Sequence, residues 1–155
     1  MFREMRRKEK QLTPEETVQM LEKTTYGTLA LLGDDGYPYS LPISFVYRDN
    51  KIFFHGAMQG HKVDAIRREP KVSLSIVERN EVLPEKFDTL YRSAIVFGKA
   101  RVLEDPQEKK DALMTVIGKY SSEYMQSGQA YIERALNGVC VMEIEIEHMT
   151  GKEGK

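Results

Sequence analysis

The sequence predicts a mainly β fold of the α+β class, a small barrel of about six antiparallel strands with peripheral helices. Short segments of alternating apolar and polar residues follow one another through tight turns, as hairpin-connected strands do. Helical segments interrupt this series only occasionally, which argues against parallel βαβ units. The chain of 155 residues is therefore expected to form one domain over 1–155.

The clearest strand runs from Tyr39 to Tyr47, where alternate residues share one face. Pro42 within it indicates a bulge or an edge strand, because proline has no N–H to donate to a neighbouring strand. A second long strand is expected over 93–104, and Gly98 at its middle indicates a barrel bend or bulge. The remaining predicted strands cover residues 28–32, 52–55, 71–78 and 140–147.

Two segments have the pattern of a helix start. Thr13-Pro14-Glu15-Glu16 combines a capping threonine, a proline in the first turn and a glutamate placed for a capping box, and Asp105-Pro106 repeats the cap and the proline. Further helices are expected over 60–68 and 129–136. Residues 80–92 have no clear period and predict a long loop, of a length that is often functional.

Both ends of the chain are expected to lie outside the folded barrel. Residues 1–10 are locally basic and predict a solvated, partly disordered arm, and residues 151–155 predict a frayed tail.

Composition excludes several classes of function. The net charge of −1 provides no global field that would attract nucleic acid or an anionic membrane. No stretch approaches the roughly 18 apolar residues of a membrane span, and the N-terminus lacks the apolar core of a signal peptide. The only cysteine, Cys140, excludes an internal disulfide and weakly favours a reducing compartment. The expected location is the cytoplasm.

The segment from Phe53 to Lys62 is the most informative for function. A strand ends at Gly56-Ala57, and a helix begins near Gly60. Helix N-termini present unpaired N–H groups and disfavour nearby cations, yet His61 and Lys62 stand in the first turn. A bound phosphate would explain these cations. A surface helix with a chance lysine explains them about equally well.

His55 ends the strand of this segment. A lone histidine in such a place is more often part of the structure than a catalyst. His55 and His61 are six residues apart with no cysteine or acid beside them, so no metal site is predicted. The sequence also lacks the G-x-S-x-G turn of a serine nucleophile and the glycine-rich nucleotide-binding motifs.

Several ordered motifs carry a family resemblance. They are Asp34-Asp35-Gly36-Tyr37-Pro38-Tyr39, Leu41-Pro42-Ile43-Ser44-Phe45-Val46-Tyr47, Lys51-Ile52-Phe53-Phe54-His55-Gly56-Ala57, Gly60-His61-Lys62, the segment 80–87 and Tyr91-Arg92-Ser93. From about Met5 to Lys152 the chain resembles the 5-nitroimidazole resistance (Nim-type) branch of the pyridoxamine 5′-phosphate oxidase-like flavin-binding split barrels. The oxidase subgroup carries basic residues on the strand of Ser40 and Ser44. This chain has none there before Arg48, which argues against pyridoxamine phosphate oxidation.

The resemblance implies a homodimer with FMN bound between its subunits. The phosphate would lie on Gly60, His61 and Lys62. The ring would lie along two strands, and a second subunit would add residues. The strand residues implied are Pro42, Ile43, Ser44, Phe45, His55, Gly56 and Ala57, and those of the second subunit are Ser93 with Tyr91 or Arg92.

The activity implied is reduction of a small organic acceptor such as a nitroimidazole, with NAD(P)H or a reductase as electron source. His55 is the residue expected to act beside the ring, as proton donor or substrate contact, and the segment 81–91 is expected to cover the substrate. Two alternatives remain open. One is a non-catalytic flavin- or haem-binding carrier or sensor on the same barrel. The other is a relative that uses a different flavin or a deazaflavin.

Overall fold

The computed structural model describes all residues, 1–155, and contains one seven-stranded sheet in which every neighbouring pair is antiparallel. The strands are β1 Tyr26–Leu32, β2 Pro38–Ser44, β3 Val46–Arg48, β4 Lys51–Gly56, β5 Lys71–Leu83, β6 Asp88–Val102 and β7 Cys140–Gly154. The α-helices are α1 Pro14–Lys23, α2 His61–Arg68, α3 Pro106–Tyr120 and α4 Met125–Ala135. The predicted fold class is confirmed, with seven strands rather than about six.

The sheet order β2-β1-β5-β6-β7-β4-β3 places β2 at one edge and β3 at the other. These two strands are consecutive in the chain and are joined by the single residue Phe45. The barrel is thus split at this crossing, as expected for a split barrel. The edge position of β2 confirms the interpretation of Pro42. The predicted continuous strand 39–47 was wrong, because the chain leaves one edge of the sheet and enters the other at Phe45.

The barrel interior is filled by alternate residues of the long strands. Leu29, Phe54, Leu74, Met142 and Ile144 are all 1% exposed or less. A second apolar cluster lies on the outer face of β4 and β7, which is covered by α3 and α4, and includes Phe53, Leu113, Ile132 and Val141. Strands β4 and β7 are therefore covered on both faces, a property that matters for the site.

Both predicted helix starts are confirmed. Thr13 accepts a hydrogen bond from the Glu16 N–H at 3.1 Å, and the Glu16 carboxylate accepts from the Thr13 N–H, which completes a capping box. Asp105 caps α3 by accepting a hydrogen bond from the Glu108 N–H at 3.0 Å.

The expected loop over 80–92 was wrong. Strands β5 and β6 continue through this segment as a hairpin whose turn lies at residues 84–87, and the ladder extends to the pair Leu83–Asp88. Strands pair through their main-chain groups and do not require alternating apolar residues. This part of the hairpin extends beyond the core and is mostly exposed, so its sequence has no apolar–polar alternation from which a strand could be predicted.

The expected frayed tail over residues 151–155 was also wrong. Residues 151–154 belong to β7 and pair with β6, and Gly151 and Gly154 are buried. In the N-terminal arm, the Phe2 ring stacks on His148 with ring centroids 5.0 Å apart. The arm lies against the outer face of β6 and β7, because that face offers aromatic surface to its apolar residues.

Gly98 marks a shift in the register of β6 against β7, between Phe97 and Gly98, which confirms the predicted bulge. A Cβ at this position would overlap the backbone carbonyl oxygen of Glu145 and lie 2.8 Å from Ile144 Cγ2. Because backbone cannot move aside as a flexible side chain can, Gly98→Ala should destabilise the fold by about 2–3 kcal/mol. Thermal unfolding should show a melting temperature lowered by roughly 4–12 °C.

The matched control for this prediction is Gly118→Ala in α3, where an added Cβ has no neighbour within 4 Å. Alanine is the better helix former, so this variant should unfold at the same or a slightly higher temperature. Equal melting temperatures for wild type and Gly98→Ala would contradict the prediction.

Candidate functional site

The junction between β4 and α2 is the centre of the candidate site. Strand β4 ends at Gly56, residues 57–60 are exposed, and α2 begins at His61. Gly60 has φ 147°, a conformation that favours glycine, although no atom lies within 4 Å of an added Cβ. No side chain caps α2, so the N–H groups of its first turn point towards the junction.

Lys62 places an unpaired cation at this junction. Its ammonium lies so close to Gly56 that a Cβ there would be 2.8 Å from Lys62 Nζ, and it stands 5.8 Å from the centroid of the Phe54 ring. Lys62 forms no salt bridge, whereas His61 and Arg68 of the same helix each lie within 4 Å of the Asp34 carboxylate. An unpaired ammonium at an uncapped helix N-terminus is an arrangement suited to an anion such as a phosphate.

His61 is directed away from Lys62. Its ring stacks on Tyr39 with centroids 4.1 Å apart and an interplanar angle of 10°, and Nε2 lies 3.8 Å from a carboxylate oxygen of Asp34. Arg68 forms a salt bridge with the same carboxylate at 3.2 Å. The side chain of His61 therefore anchors α2 to the turn before β2, and only its backbone faces the junction.

His55 lies on the face of β4 opposite to Phe54 and Gly56, because successive strand residues alternate. It forms part of the wall of a pocket of about 120 Å³ on the outer side of the sheet. The other lining residues are apolar or aromatic and come mainly from α3 and α4: Leu113, Val116, Ile117, Tyr131, Ile132, Ala135 and Val139. Burial lowers the pKa of His55 below its usual 6.5, and the positive charge of Lys62 lowers it further.

The lowered pKa of His55 predicts a pH dependence. The folded state binds fewer protons than the unfolded state between the folded pKa and about 6.5, so the free energy of unfolding should fall as the pH drops through this window. An NMR titration should place the midpoint of the His55 imidazole below 6.5, and Lys62→Gln should raise it. Lys86→Gln, on the exposed hairpin turn, should leave it unchanged. A wild-type midpoint above 6.5 would contradict the assignment.

The crossing at Phe45 is held by two residues that sequence reasoning missed. The Phe45 N–H donates to the Tyr120 hydroxyl at 3.1 Å, and the Phe45 carbonyl accepts from Lys119 Nζ at 3.1 Å. Lys119 also donates to the carbonyls of Leu21 and Thr24 at the end of α1, and burial lowers its pKa to about 8. No local pattern reveals these contacts, because Lys119 is 74 residues from Phe45.

These bonds occupy the main-chain groups of Phe45 and leave its neighbours in β2 available. Pro42 and Ser44 are exposed, and Ile43 is buried in the barrel core. Strand β2 pairs with β1 on one side only, so its other edge is open along the split. Ser44, with its exposed hydroxyl, is the polar side chain of this edge closest to the crossing.

The β6 residues are far from the junction within one chain. Tyr91 pairs with Gly154 at one end of β7, whereas Gly56 pairs with Cys140 at the other end. Tyr91 lies under two ammonium groups, those of Lys10 and Lys152, at 5.6 and 5.4 Å from its ring centroid.

Arg92, beside Tyr91, forms salt bridges at 2.8, 3.2 and 3.5 Å with Glu78, Glu153 and Glu16. The Arg92 guanidinium thus links β6 to α1, β5 and β7 through ion pairs. Ser93 makes no side-chain hydrogen bond and lies half-buried beside the N-terminal arm. Within one protomer His61 contacts Tyr39 of β2, whereas Tyr91, Arg92 and Ser93 lie far from the β4–α2 junction.

Two other kinds of feature are absent from the structure. No group of three or more His, Cys, Asp or Glu side chains is arranged to bind a metal ion. None of the helices combines the length and the apolar character needed to cross a bilayer.

Fold and site together define a split barrel with an uncapped helix N-terminus and an unpaired lysine at the β4–α2 junction. Residues 13–153 match the family described as pyridoxamine 5′-phosphate oxidase, and the chain belongs to that family. No curated protein is recognisably similar in sequence.

Solved structures share the fold at low sequence identity. A candidate 5-nitroimidazole antibiotic resistance protein from Bacteroides thetaiotaomicron is 21% identical, with a TM-score of 0.79 over 92% of this chain and 86% of that one. A conserved hypothetical protein from Mycobacterium tuberculosis is 19% identical, with a TM-score of 0.83 over 97% and 90%. The FAD and haem binding protein from Mycobacterium smegmatis is 20% identical, with a TM-score of 0.83 over 94% and 74%.

Proposed function

We propose that this protein is an FMN-dependent reductase of a small organic acceptor such as a nitroimidazole, and that it acts as a homodimer. The observation that carries the proposal is the unpaired Lys62 ammonium against Gly56, at the uncapped N-terminus of α2. A terminal phosphate is the ligand group that such a site favours.

The residues around the split fit a flat phosphorylated ring. Gly56 and Ala57 have small side chains, so a planar ligand can approach the backbone at the end of β4. The open edge of β2, with exposed Pro42 and Ser44, offers main-chain and hydroxyl groups to the polar edge of such a ring. Lys62, the first-turn N–H groups of α2 and these strands would hold FMN. Bound FMN supplies two-electron transfer, while the protein orients the reactants and excludes water.

A second copy of the chain would complete the site. The outer face of β5 and β6 exposes Val77, Ile95 and Phe97, which are 57, 46 and 38% exposed. Neighbouring apolar side chains that share one sheet face are typical of a protein–protein interface. Pairing through this face would bring Tyr91 and Ser93 of the second copy towards a site that they cannot reach in their own protomer.

The proposed reductase activity is supported by His55 and by the fold relatives. His55 directly precedes Gly56, and burial and the charge of Lys62 lower its pKa, which favours the neutral imidazole that can accept a proton. One relative of the same fold is described as a candidate 5-nitroimidazole antibiotic resistance protein, and another as binding FAD and haem. The electrons would come from NAD(P)H or from a separate reductase.

The haem-binding alternative fits the geometry less well. His55 borders an apolar pocket, as a haem ligand would, but that pocket of about 120 Å³ is far smaller than the roughly 300–1,000 Å³ of typical cofactor and ligand sites.

An absorption spectrum of the purified protein, with FMN added in one sample and haem in another, tests the proposal. Retained flavin bands after gel filtration, at a mass near twice 17.9 kDa, are the expected result. Anaerobic oxidation of NAD(P)H with a nitroaromatic acceptor should then depend on bound FMN. A monomer that retains no flavin, or a haem Soret band in place of flavin bands, would refute it.

A further inference from the structure

The pocket beside His55 lies in the helical layer, on the side of the sheet away from the barrel interior, and is partly open to solvent at His55 and Tyr131. Leu113, Val116 and Ile117 form one face of α3, and Ile132 and Ala135 form the facing side of α4. These spacings of three and four residues place each set on one side of its helix. Gly128 allows the close approach of the helices, since a Cβ there would lie 2.8 Å from Ile117 Cγ2.

The size of the pocket restricts its ligand. Its volume is about 120 Å³, close to that of an engineered apolar cavity of about 150 Å³ that binds benzene. A single five- or six-membered ring fills such a space, and a fused two-ring molecule exceeds it. The volume therefore selects a small ring rather than a nucleotide or a lipid chain.

The chemistry of the walls restricts the ligand further. No Asp, Glu, Lys or Arg lines the pocket, and the only lining residues with polar side-chain atoms are His55 and Tyr131, the latter largely exposed to solvent. A charged ligand would lose its hydration without gaining a counter-ion there. A neutral imidazole offers one donor or one acceptor to a polar substituent of the ring.

We infer that the pocket between α3 and α4 binds one uncharged single-ring organic molecule, with a polar substituent directed at His55. This site goes beyond the proposed function, because its walls come from β4, α3, α4 and Val139 just before β7, and need neither flavin nor a second chain.

The test uses the flavin-free full-length protein and three probes: 4-fluorophenol, 4-fluorobenzoate at pH 7, and 1-fluoronaphthalene. Titrations followed by fluorine NMR should show saturable binding of 4-fluorophenol. 4-Fluorobenzoate should bind at least tenfold more weakly because of its charge, and 1-fluoronaphthalene should bind at least tenfold more weakly because of its size. Shifts of the methyl signals of Ile117 and Ile132 should report the same binding curve.

Ala135→Leu fills the pocket from α4 and should weaken the binding of 4-fluorophenol at least tenfold. Arg134→Ala, on the same helix but outside the pocket lining, should leave this affinity unchanged. Val139→Phe fills the same space from another side, so a folding defect in one variant leaves the other informative. No saturable binding of 4-fluorophenol, equal binding of the benzoate, or unchanged affinity in both filled variants would each overturn the inference. FMN binding is measured separately, so failure of this pocket is distinguishable from failure of the flavin site.

Discussion

Lys62→Glu is expected to abolish FMN binding. In the wild type an ammonium faces the junction at which the phosphate is proposed to bind, and a hydrogen bond to a charged group contributes about 1.5–3 kcal/mol. Glutamate removes that interaction and adds a carboxylate that repels the phosphate at an uncapped helix end. The combined loss corresponds to a dissociation constant raised about 100-fold or more. Titration of apoprotein against FMN, followed by the quenching of flavin fluorescence, measures it.

Arg67→Glu is the matched control for Lys62→Glu. It makes the same charge change on the same helix, but in the last turn of α2 and about 7.5 Å further along its axis. Arg67 is exposed and forms no salt bridge, so its variant should bind FMN within a few-fold of wild type. Lys62→Arg should retain most of the affinity, because the cation is preserved. Equal FMN affinity in Lys62→Glu and wild type would show that the phosphate does not bind at this junction.

His55→Ala is expected to retain FMN and to slow acceptor reduction about 100-fold, the lower end of the range for loss of a general acid. The side chain of His55 faces away from Lys62 and Gly56 across β4, so the proposed phosphate contacts remain. Removal of the imidazole takes away the titratable group that borders both the end of β4 and the α3–α4 pocket. Stopped-flow reoxidation of the reduced protein by a nitroaromatic acceptor measures the rate.

His55→Gln distinguishes proton transfer from a hydrogen-bonding role. Glutamine preserves polar contacts but does not titrate, so a rate as slow as that of His55→Ala indicates proton transfer, and a rate near wild type indicates substrate contact. With proton transfer, the dependence of the wild-type rate on pH below 6.5 should disappear in the glutamine variant. If His55→Ala reduces the acceptor at the wild-type rate, His55 has no part in the reaction.

The local signals in the sequence predicted much of the fold. The capping box at Thr13, the cap at Asp105, the edge position of Pro42 and the bulge at Gly98 are all present. Each of these depends on the chemistry of one residue and its immediate neighbours: a side-chain oxygen near a free N–H, a missing donor, or a missing Cβ. Such effects act in the same way in any context, so a sequence is enough to find them.

The family resemblance placed the candidate site on these segments, and the structure shows how some of the side chains there are oriented. Lys62 faces the junction, whereas His61 stacks on Tyr39 and Arg92 is paired with three carboxylates. Side-chain direction depends on which distant residues lie beside it. Asp34 lies far along the chain from His61, and Glu153 lies far from Arg92, so no local sequence pattern predicts these contacts.

The sequence alone determined where helices begin, which strands alternate and where a helix N-terminus with basic first-turn residues lies, because these are short-range properties. Only the tertiary structure decided that β2 and β3 are the two edges of one sheet, that the hairpin and the C-terminal residues extend it, and that His55 faces a pocket under α3 and α4. These features arise from pairing and packing between residues tens of positions apart. The free energy gained by these contacts depends on the whole assembled barrel, so it cannot be inferred from any short segment of the sequence.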